Sequence, residues 1–303
     1  PWGRCSRSVI ICKSVRQNFM IQNKNYLSIY AKSFNWAGFF LPKQTYKKCS
    51  SLYDFCRVVD NIADDKNSIE LKESEFNKFK NDFIQKNYNN PVIENMWDII
   101  DEFSISLKVV NDLFDGIKSD IKQTVKLNSK KELLIYSYRV AGTVGLMMAK
   151  ILKVNKKSSL KSAIDLGIAM QLTNISRDVV EDLNNGRSYI NDSFDDIKLT
   201  LELAEKFYES SFYSINEIPI RFRFSILVAR RVYRKIGYKI LNKKNLENYK
   251  ASGKIFVSNL EKIIETFFAI FDLIKLLLVN KNDNHIEHDH FLINEVINLN
   301  ERI

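Results

Sequence analysis

Residues 171–182 read Gln171-Leu172-Thr173-Asn174-Ile175-Ser176-Arg177-Asp178-Val179-Val180-Glu181-Asp182. Leu172, Ile175 and Val179 recur at spacings of three and four, the period of a helix with one apolar face. Gln171, Asn174, Asp178 and Asp182 keep the same period on the other side, as a polar stripe about three turns long. Asp178 and Asp182, four apart, project from one face. Amides in line with carboxylates suit a hydrated Mg²⁺, which takes oxygen ligands and bridges carboxylates to phosphates.

Upstream, Tyr53-Asp54-Phe55-Cys56-Arg57-Val58-Val59-Asp60-Asn61-Ile62-Ala63-Asp64 repeats the arrangement. Leu52, Phe55, Cys56, Val59, Ile62 and Ala63 form the apolar face. Asp60 and Asp64 are again four apart, with Arg57 one turn earlier. Like charges at this spacing weaken a helix by a few tenths of a kcal/mol, a penalty that a cation removes. Either pair alone reads as a solvated helix face. Two pairs, each with an Arg beside it, predict four carboxylates lining one cavity that holds divalent ions and a diphosphate. Arg57, Arg177 and Arg187, with Lys32, would complete its electrostatics.

Helical periodicity extends over most of the chain: Met96–Phe103, Leu133–Leu152, Ala204–Ile215, Phe222–Leu241 and Ile255–Leu278. Breakers fall between these segments at Pro42, Asn89-Asn90-Pro91, Asn184-Asn185-Gly186 and Pro219. The 303 residues are 45% hydrophobic and 27% charged, which excludes a long disordered chain. Only 9 Gly and 4 Pro argue against an all-β protein with many tight turns. The expectation is a single all-α domain of about eight to ten helices over residues 20–280. Residues 1–19 read as a non-native or disordered extension, with Met20 as an alternative start. Residues 281–303 read as a polar, solvated tail, whose His285, His288 and His290 are less suited to a metal site than to solvent.

Cys5, Cys12, Cys49 and Cys56 contain no CxxC pair, so zinc and dithiol chemistry are not indicated. The net charge of +10 suits an acidic partner: nucleic acid, anionic lipid or a phosphorylated substrate. None of the usual nucleic-acid motifs accompanies the basic Arg221–Lys254 region, which reads as a basic helical face. The apolar runs Ala141–Ala149 and Phe267–Val279 are too short or too interrupted to span a bilayer.

Four blocks resemble the squalene/phytoene synthase family of head-to-head prenyl synthases. They are Ala31-Lys32-Ser33-Phe34 with Leu41-Pro42, the Tyr53–Asp64 motif, Tyr136-Ser137-Tyr138-Arg139-Val140-Ala141-Gly142-Thr143-Val144-Gly145, and Gln171–Tyr189 with its Gly186-Arg187-Ser188-Tyr189 ending. Arg230-Arg231-Val232-Tyr233 adds a C-terminal echo. The resemblance implies an isoprenoid synthase fold, a helical bundle around a central cavity. It implies Mg²⁺-dependent condensation of two allylic diphosphates, with Mn²⁺ as a substitute ion. Asp60, Asp64, Asn174, Asp178 and Asp182 would hold the metal. Arg57, Gln171, Asn174, Arg177, Arg187, Tyr189 and, across a gap, Tyr249 would bind or orient the diphosphates. Ser33, Phe34, Tyr53, Tyr136, Val140, Ala141 and Gly145 would line the chain-binding region, with Tyr136 also counted as catalytic.

The block Val140–Gly145 followed by Leu146-Met147-Met148 favours the phytoene branch: two geranylgeranyl diphosphates, no NADPH, and a carotenoid precursor as product. Squalene, dehydrosqualene or hydroxysqualene from farnesyl diphosphate is the alternative, and a non-catalytic relative a remote one. The expected aromatic wall is Phe34, Phe39, Phe40, Tyr53, Tyr136 and Tyr138, able to shield and stabilise a cation. Ala141, Gly142 and Gly145 leave room for a prenyl tail or for close helix packing. Expected partners are prenyl diphosphates and, transiently, a membrane surface, without nucleic acid. The chain is expected to be a cytoplasmic, membrane-associating monomer or weak dimer.

Overall fold

A computed structural model describes residues 32–278 and 289–303. The expectations placed on residues 1–19, on Lys32's side chain and on His285 and His288 lie outside what is described. Helices run in chain order as α1 (Lys32–Gly38), α2 (Lys43–Asp64), α3 (Ile69–Ile84), α4 (Pro91–Phe103), α5 (Leu107–Lys118), α6 (Lys130–Ser137), α7 (Thr143–Ile151), α8 (Lys157–Asn184), α9 (Phe194–Phe212), α10 (Ile220–Leu241), α11 (Leu246–Ala251), α12 (Asn259–Leu278) and α13 (His290–Asn294). α2, α4, α8, α9, α10 and α12 coincide with periodic segments, whereas α3 and α5, of 16 and 12 residues, fall outside them; α1, α11 and α13 are short pieces of five to seven residues.

Side-chain caps start many of the helices, satisfying backbone N–H groups that the first turn leaves open. Ser68 Oγ accepts from Leu71 N–H, Ser129 from Glu132 N–H and Ser193 from Asp196 N–H. Asn90 accepts from Val92 N–H, ahead of Pro91 at the first helical position.

The 28-residue α8 runs through the centre, packed by α7, α9 and α10. Its Leu172, Ile175 and Val179 are buried as the periodicity predicts. On α2, Leu52, Phe55, Val59 and Ala63 are buried. Phe55 sits in an aromatic cluster with Phe79, Phe83 and Phe114 at ring separations of 5.4–5.8 Å. This face fixes the rotation of α2, turning Tyr53, Arg57, Asp60 and Asp64 towards the interior cavity.

Two glycines let α7 and α8 touch. A Cβ on Gly145 would come 2.2 Å from Ala163 O, and one on Gly167 would come 2.2 Å from Ala141 O. Close helix packing therefore accounts for Gly145. Between α6 and α7 the chain makes a π-helical turn, Tyr138–Gly142.

Three expectations need correction. Residues 289–303 are not a solvated tail: Ile293, Ile297 and Leu299 are buried. His290 is 1% exposed, with its Nε2 on Asp165 Oδ1. Arg302 Nε–H donates to Asp112 Oδ2 at 2.9 Å. The basic region 221–254 is not an open cationic face either. Arg230 is buried and donates to Tyr208 O, Arg231 is bidentate to Asp272, and Arg234 pairs with Glu205. Alternating helical charges were spent across the α9–α10 and α10–α12 contacts, which a one-dimensional count of lysines and arginines cannot show. Tyr138, expected in the cavity wall, is fully buried and donates to Asp112 Oδ2 at 2.9 Å. Among the described residues, no helix is long and apolar enough to cross a membrane.

Candidate active site

A cavity of about 940 Å³ opens between α2 and α8 and continues into the bundle. Both aspartate pairs line it, as do Arg57, Arg177 and Arg187. So do Ser33, Phe34, Tyr53, Tyr136, Val140, Ala141, Gly145, Gln171, Asn174 and Tyr189. Apolar residues make up much of the remaining wall: Met148, Ala149, Leu152, Ala163 and Ile215, for example.

Asp60, Asp64 and Asp178 each have an arginine partner. Arg57 Nη1–H donates to Asp60 Oδ2 at 2.6 Å and lies 4.0 Å from Asp64. Arg187 Nη1–H donates to Asp64 Oδ1 at 2.7 Å, tying the end of α8 to the end of α2. Arg177 forks onto Asp178 through Nε and Nη2. Lys254 sits 3.4 Å from Asp178 and 2.6 Å from Glu181. Asp182, without such a close cation, has its pKa raised to about 7 by desolvation and by Asp178. Asp60 is raised to about 6 by desolvation and by Asp64, with Arg57 opposing. These are carboxylates gathered beyond what their arginines neutralise.

The placement of Arg187 depends on backbone that Asn184-Asn185-Gly186 provides. Gly186 has φ of +74°, and a Cβ there would meet Gln123 O at 2.8 Å. The chain can then turn and pair Arg187-Ser188 with Val125-Lys126 as two short parallel strands, β1 (Val125–Lys126) and β2 (Arg187–Ser188).

Among the described residues, no three His, Cys, Asp or Glu side chains already converge as a metal site. Asp60, Asp178 and Asp64 are instead held by Arg57 on α2, Arg177 on α8 and Arg187 on β2. The donor chemistry nevertheless fits Mg²⁺. Every candidate ligand is oxygen, and Asn174 Oδ1 lines this cavity buried without a hydrogen-bond partner. Such an orphan amide oxygen is destabilising by about 1–3 kcal/mol unless something positive reaches it.

A buried network that the sequence did not reveal lies beside the carboxylates. The hydroxyls of Tyr136 and Tyr189 donate to Asp120 at 2.7 and 2.8 Å, and their rings stack at 4.6 Å. Burial raises the pKa of Asp120 and of both tyrosines. Asp120 falls after the end of α5 in no periodic pattern, so no spacing marks it. Tyr233 and Lys254 also line the cavity. Tyr233 lay within a quoted block and Lys254 at the end of the basic region, and neither was assigned to the site.

Several expected wall residues are elsewhere. Phe39 is 84% exposed, and Phe40 packs edge-on against Phe224. Of the six aromatics, Phe34, Tyr53 and Tyr136 reach the cavity. Tyr249 is buried behind α8. It is not among the lining residues, and its hydroxyl donates to the carbonyl oxygens of Ser176 and Arg177. It buttresses the second motif from behind rather than reaching into the cavity. Cys49 and Cys56 have thiols pushed up to about 12 by burial, so they are neutral wall atoms.

A sequence model described as squalene/phytoene synthase matches residues 27–194. The chain belongs to the squalene/phytoene synthase family, a family of prenyltransferases. It is 28% identical over 247 residues to the 15-cis-phytoene synthase of Enterobacter agglomerans, covering 71% of this chain and 83% of that protein. It is 36% identical over 147 residues to the 15-cis-phytoene synthase of a Paracoccus species, covering 43% and 48% of the two chains. Its structure is similar to a dehydrosqualene synthase solved with a ligand, with a TM-score of 0.68 at 25% identity over 82% of this chain and 94% of that one. It also shares its fold with a squalene synthase of Alicyclobacillus acidocaldarius, with a TM-score of 0.64 at 18% identity over 78% of this chain and 96% of that one. The all-α isoprenoid synthase fold of the family is the fold of this chain.

Proposed function

We propose that the chain condenses two geranylgeranyl diphosphates head to head into phytoene, through a cyclopropyl carbinyl diphosphate. The observation that carries this reading is the pairing of two Asp-x-x-x-Asp faces, each with its arginine, in one cavity whose remaining walls are mostly apolar. The phytoene synthases among its relatives support the C20 substrate. The structural likeness to a dehydrosqualene synthase favours a second reading, in which the same chemistry uses farnesyl diphosphate.

Mg²⁺, when bound by Asp60, Asp64, Asn174, Asp178 and Asp182, supplies positive charge against the diphosphates and lowers the barrier to their departure. The chain's residues do the rest. Arg57, Arg177 and Arg187 exchange their carboxylate partners for diphosphate oxygens and stabilise the charge that develops on the leaving group. Gln171 and the Asp120-held Tyr136 and Tyr189 fix the orientation of the first carbons. Phe34, Tyr53, Val140 and Ala141 exclude water, so that the allylic cation meets the second substrate's double bond. A second ionisation, rearrangement and proton loss complete the product. The chain acts from the cytoplasm, without NADPH, and touches a membrane to exchange its apolar ligands.

Wild type, Asp60→Asn and Asp178→Asn supplied with geranylgeranyl diphosphate and Mg²⁺ test the site. Turnover should fall by about a thousandfold or more in each variant with circular dichroism unchanged. Full activity in either variant rejects the shared carboxylate site.

A further inference from the structure

α12 is amphipathic the wrong way round for a surface helix. Its three acids all turn inward onto α10: Glu261 accepts from Lys239 at 2.7 Å, Glu265 from Arg231 at 3.3 Å, and Asp272 from Arg231 at 2.6 Å. Its outward face is a stripe of Leu260, Ile263, Phe267, Phe271, Ile274 and Leu278, all between 46% and 81% exposed. The stripe spans five turns at the helical period, with the rings of Phe267 and Phe271 in edge contact at 5.3 Å. Scattered exposed apolar residues need no explanation, but an unbroken stripe along a 20-residue helix does.

The stripe leads to the cavity. Lys254, Ile255, Phe256 and Val257 line the cavity immediately before α12 begins, and Phe256 is 70% exposed there. Lys254 and Phe256, both exposed, are therefore part of the rim, on the side where Lys254 approaches Asp178, while Ile255 and Val257 are buried. Anything that covers α12 also borders the mouth.

We infer that α12 is a membrane-docking helix that lies in the surface of an anionic bilayer, with its stripe among the acyl chains and the cavity mouth opening beside it. Three observations choose lipid over a protein partner. The outward face presents no carboxylate, and the chain carries a net charge of +10, so anionic headgroups attract it and nothing on the helix repels them. The helix is too short on uninterrupted apolar residues to cross the bilayer, as suits one that lies along it. A second copy seated on the stripe would crowd the Phe256 rim, whereas a bilayer covers the stripe and accepts an apolar molecule leaving the mouth. Docking rests on α12 alone; the identity of the molecule exchanged rests on the proposed function.

Sedimentation with vesicles, without substrate, tests this independently of turnover. Wild type should bind equimolar phosphatidylcholine–phosphatidylglycerol vesicles, more weakly as salt is raised. The double variant Phe267→Glu with Phe271→Glu should lose at least about tenfold in binding, while keeping its helical circular dichroism and its turnover in detergent. Neither residue touches the cavity, so turnover reports on folding. Equal vesicle binding by the double variant overturns the assignment to α12. A wild-type dimer that the double variant converts to monomer, with no vesicle binding, assigns the stripe to a second copy and overturns the lipid reading. A monomer that ignores vesicles overturns it as well.

Discussion

Asp182 and Asp60 hold raised pKa values because they are gathered in a partly desolvated cleft beside like charges. The folded state therefore binds their protons more tightly than the unfolded chain does. The stability this provides is complete below the unfolded value near 3.8 and is lost as pH rises through the folded values of about 6 and 7. The metal-free Asp182→Asn variant should thus melt higher than wild type at pH 8, and the difference should close near pH 4. Mg²⁺ should raise the melting temperature of wild type at pH 8 more than that of the variant. A variant that melts lower than wild type at pH 8 without metal would show that Asp182 is stabilised rather than strained. The four aspartates, Arg57 and Arg177 were legible as single residues, because their spacing on helices is itself the signal; Arg187, on β2, was legible only through its Gly-Arg-x-Tyr block. Asp120 was not, because its function depends on two tyrosine hydroxyls that meet only in the folded chain.

Helix contacts carry the next level. Gly142 and Gly145 read from sequence as residues with two possible uses, and the α7–α8 contact resolves which one applies to Gly145; Gly167, on the facing helix, makes a contact as close. An added methyl at either position meets a backbone carbonyl, which cannot rotate away. Gly145→Ala and Gly167→Ala should each destabilise by about 1–3 kcal/mol in urea unfolding. No loss of stability would mean that the helices can separate freely at this contact. The periodic segments located α2, α4, α8, α9, α10 and α12, since burial of one face dictates the pattern, but passed over α3 and α5. The same pattern cannot say which helix pairs with which. For that reason the arginines of α10 read as a surface feature, whereas Arg230 and Arg231 are spent on Tyr208 and Asp272.

Across the whole molecule, the C-terminal residues 289–303 close the fold and are not appended to it. His290 meets Asp165, which also accepts from Ser210 at 2.6 Å, while Arg302 and Tyr138 share Asp112. Removing one member of a buried polar pair leaves the other uncompensated, so His290→Ala should cost about 3 kcal/mol or more. A loss within about 0.5 kcal/mol, the range of an ordinary surface substitution, would restore the solvated-tail reading. Composition misled there because polar residues are common in this segment. Its few apolar anchors, Ile293, Ile297 and Leu299, are too sparse to register as a periodic helix. The all-α class was legible in the helical periodicity, and the arrangement around a central cavity in the resemblance of four sequence blocks to the family. The depth of the cavity, and with it the length of chain it admits, was not.

The central claim is the head-to-head condensation of two C20 diphosphates, and product analysis tests it most directly. Purified protein with Mg²⁺ should receive farnesyl or geranylgeranyl diphosphate separately, with and without NADPH, and the extracts should be read by mass spectrometry. Phytoene from the C20 substrate, in equal amount without NADPH, is the predicted result. A C30 hydrocarbon from the C15 substrate alone, or no product from either, would contradict it.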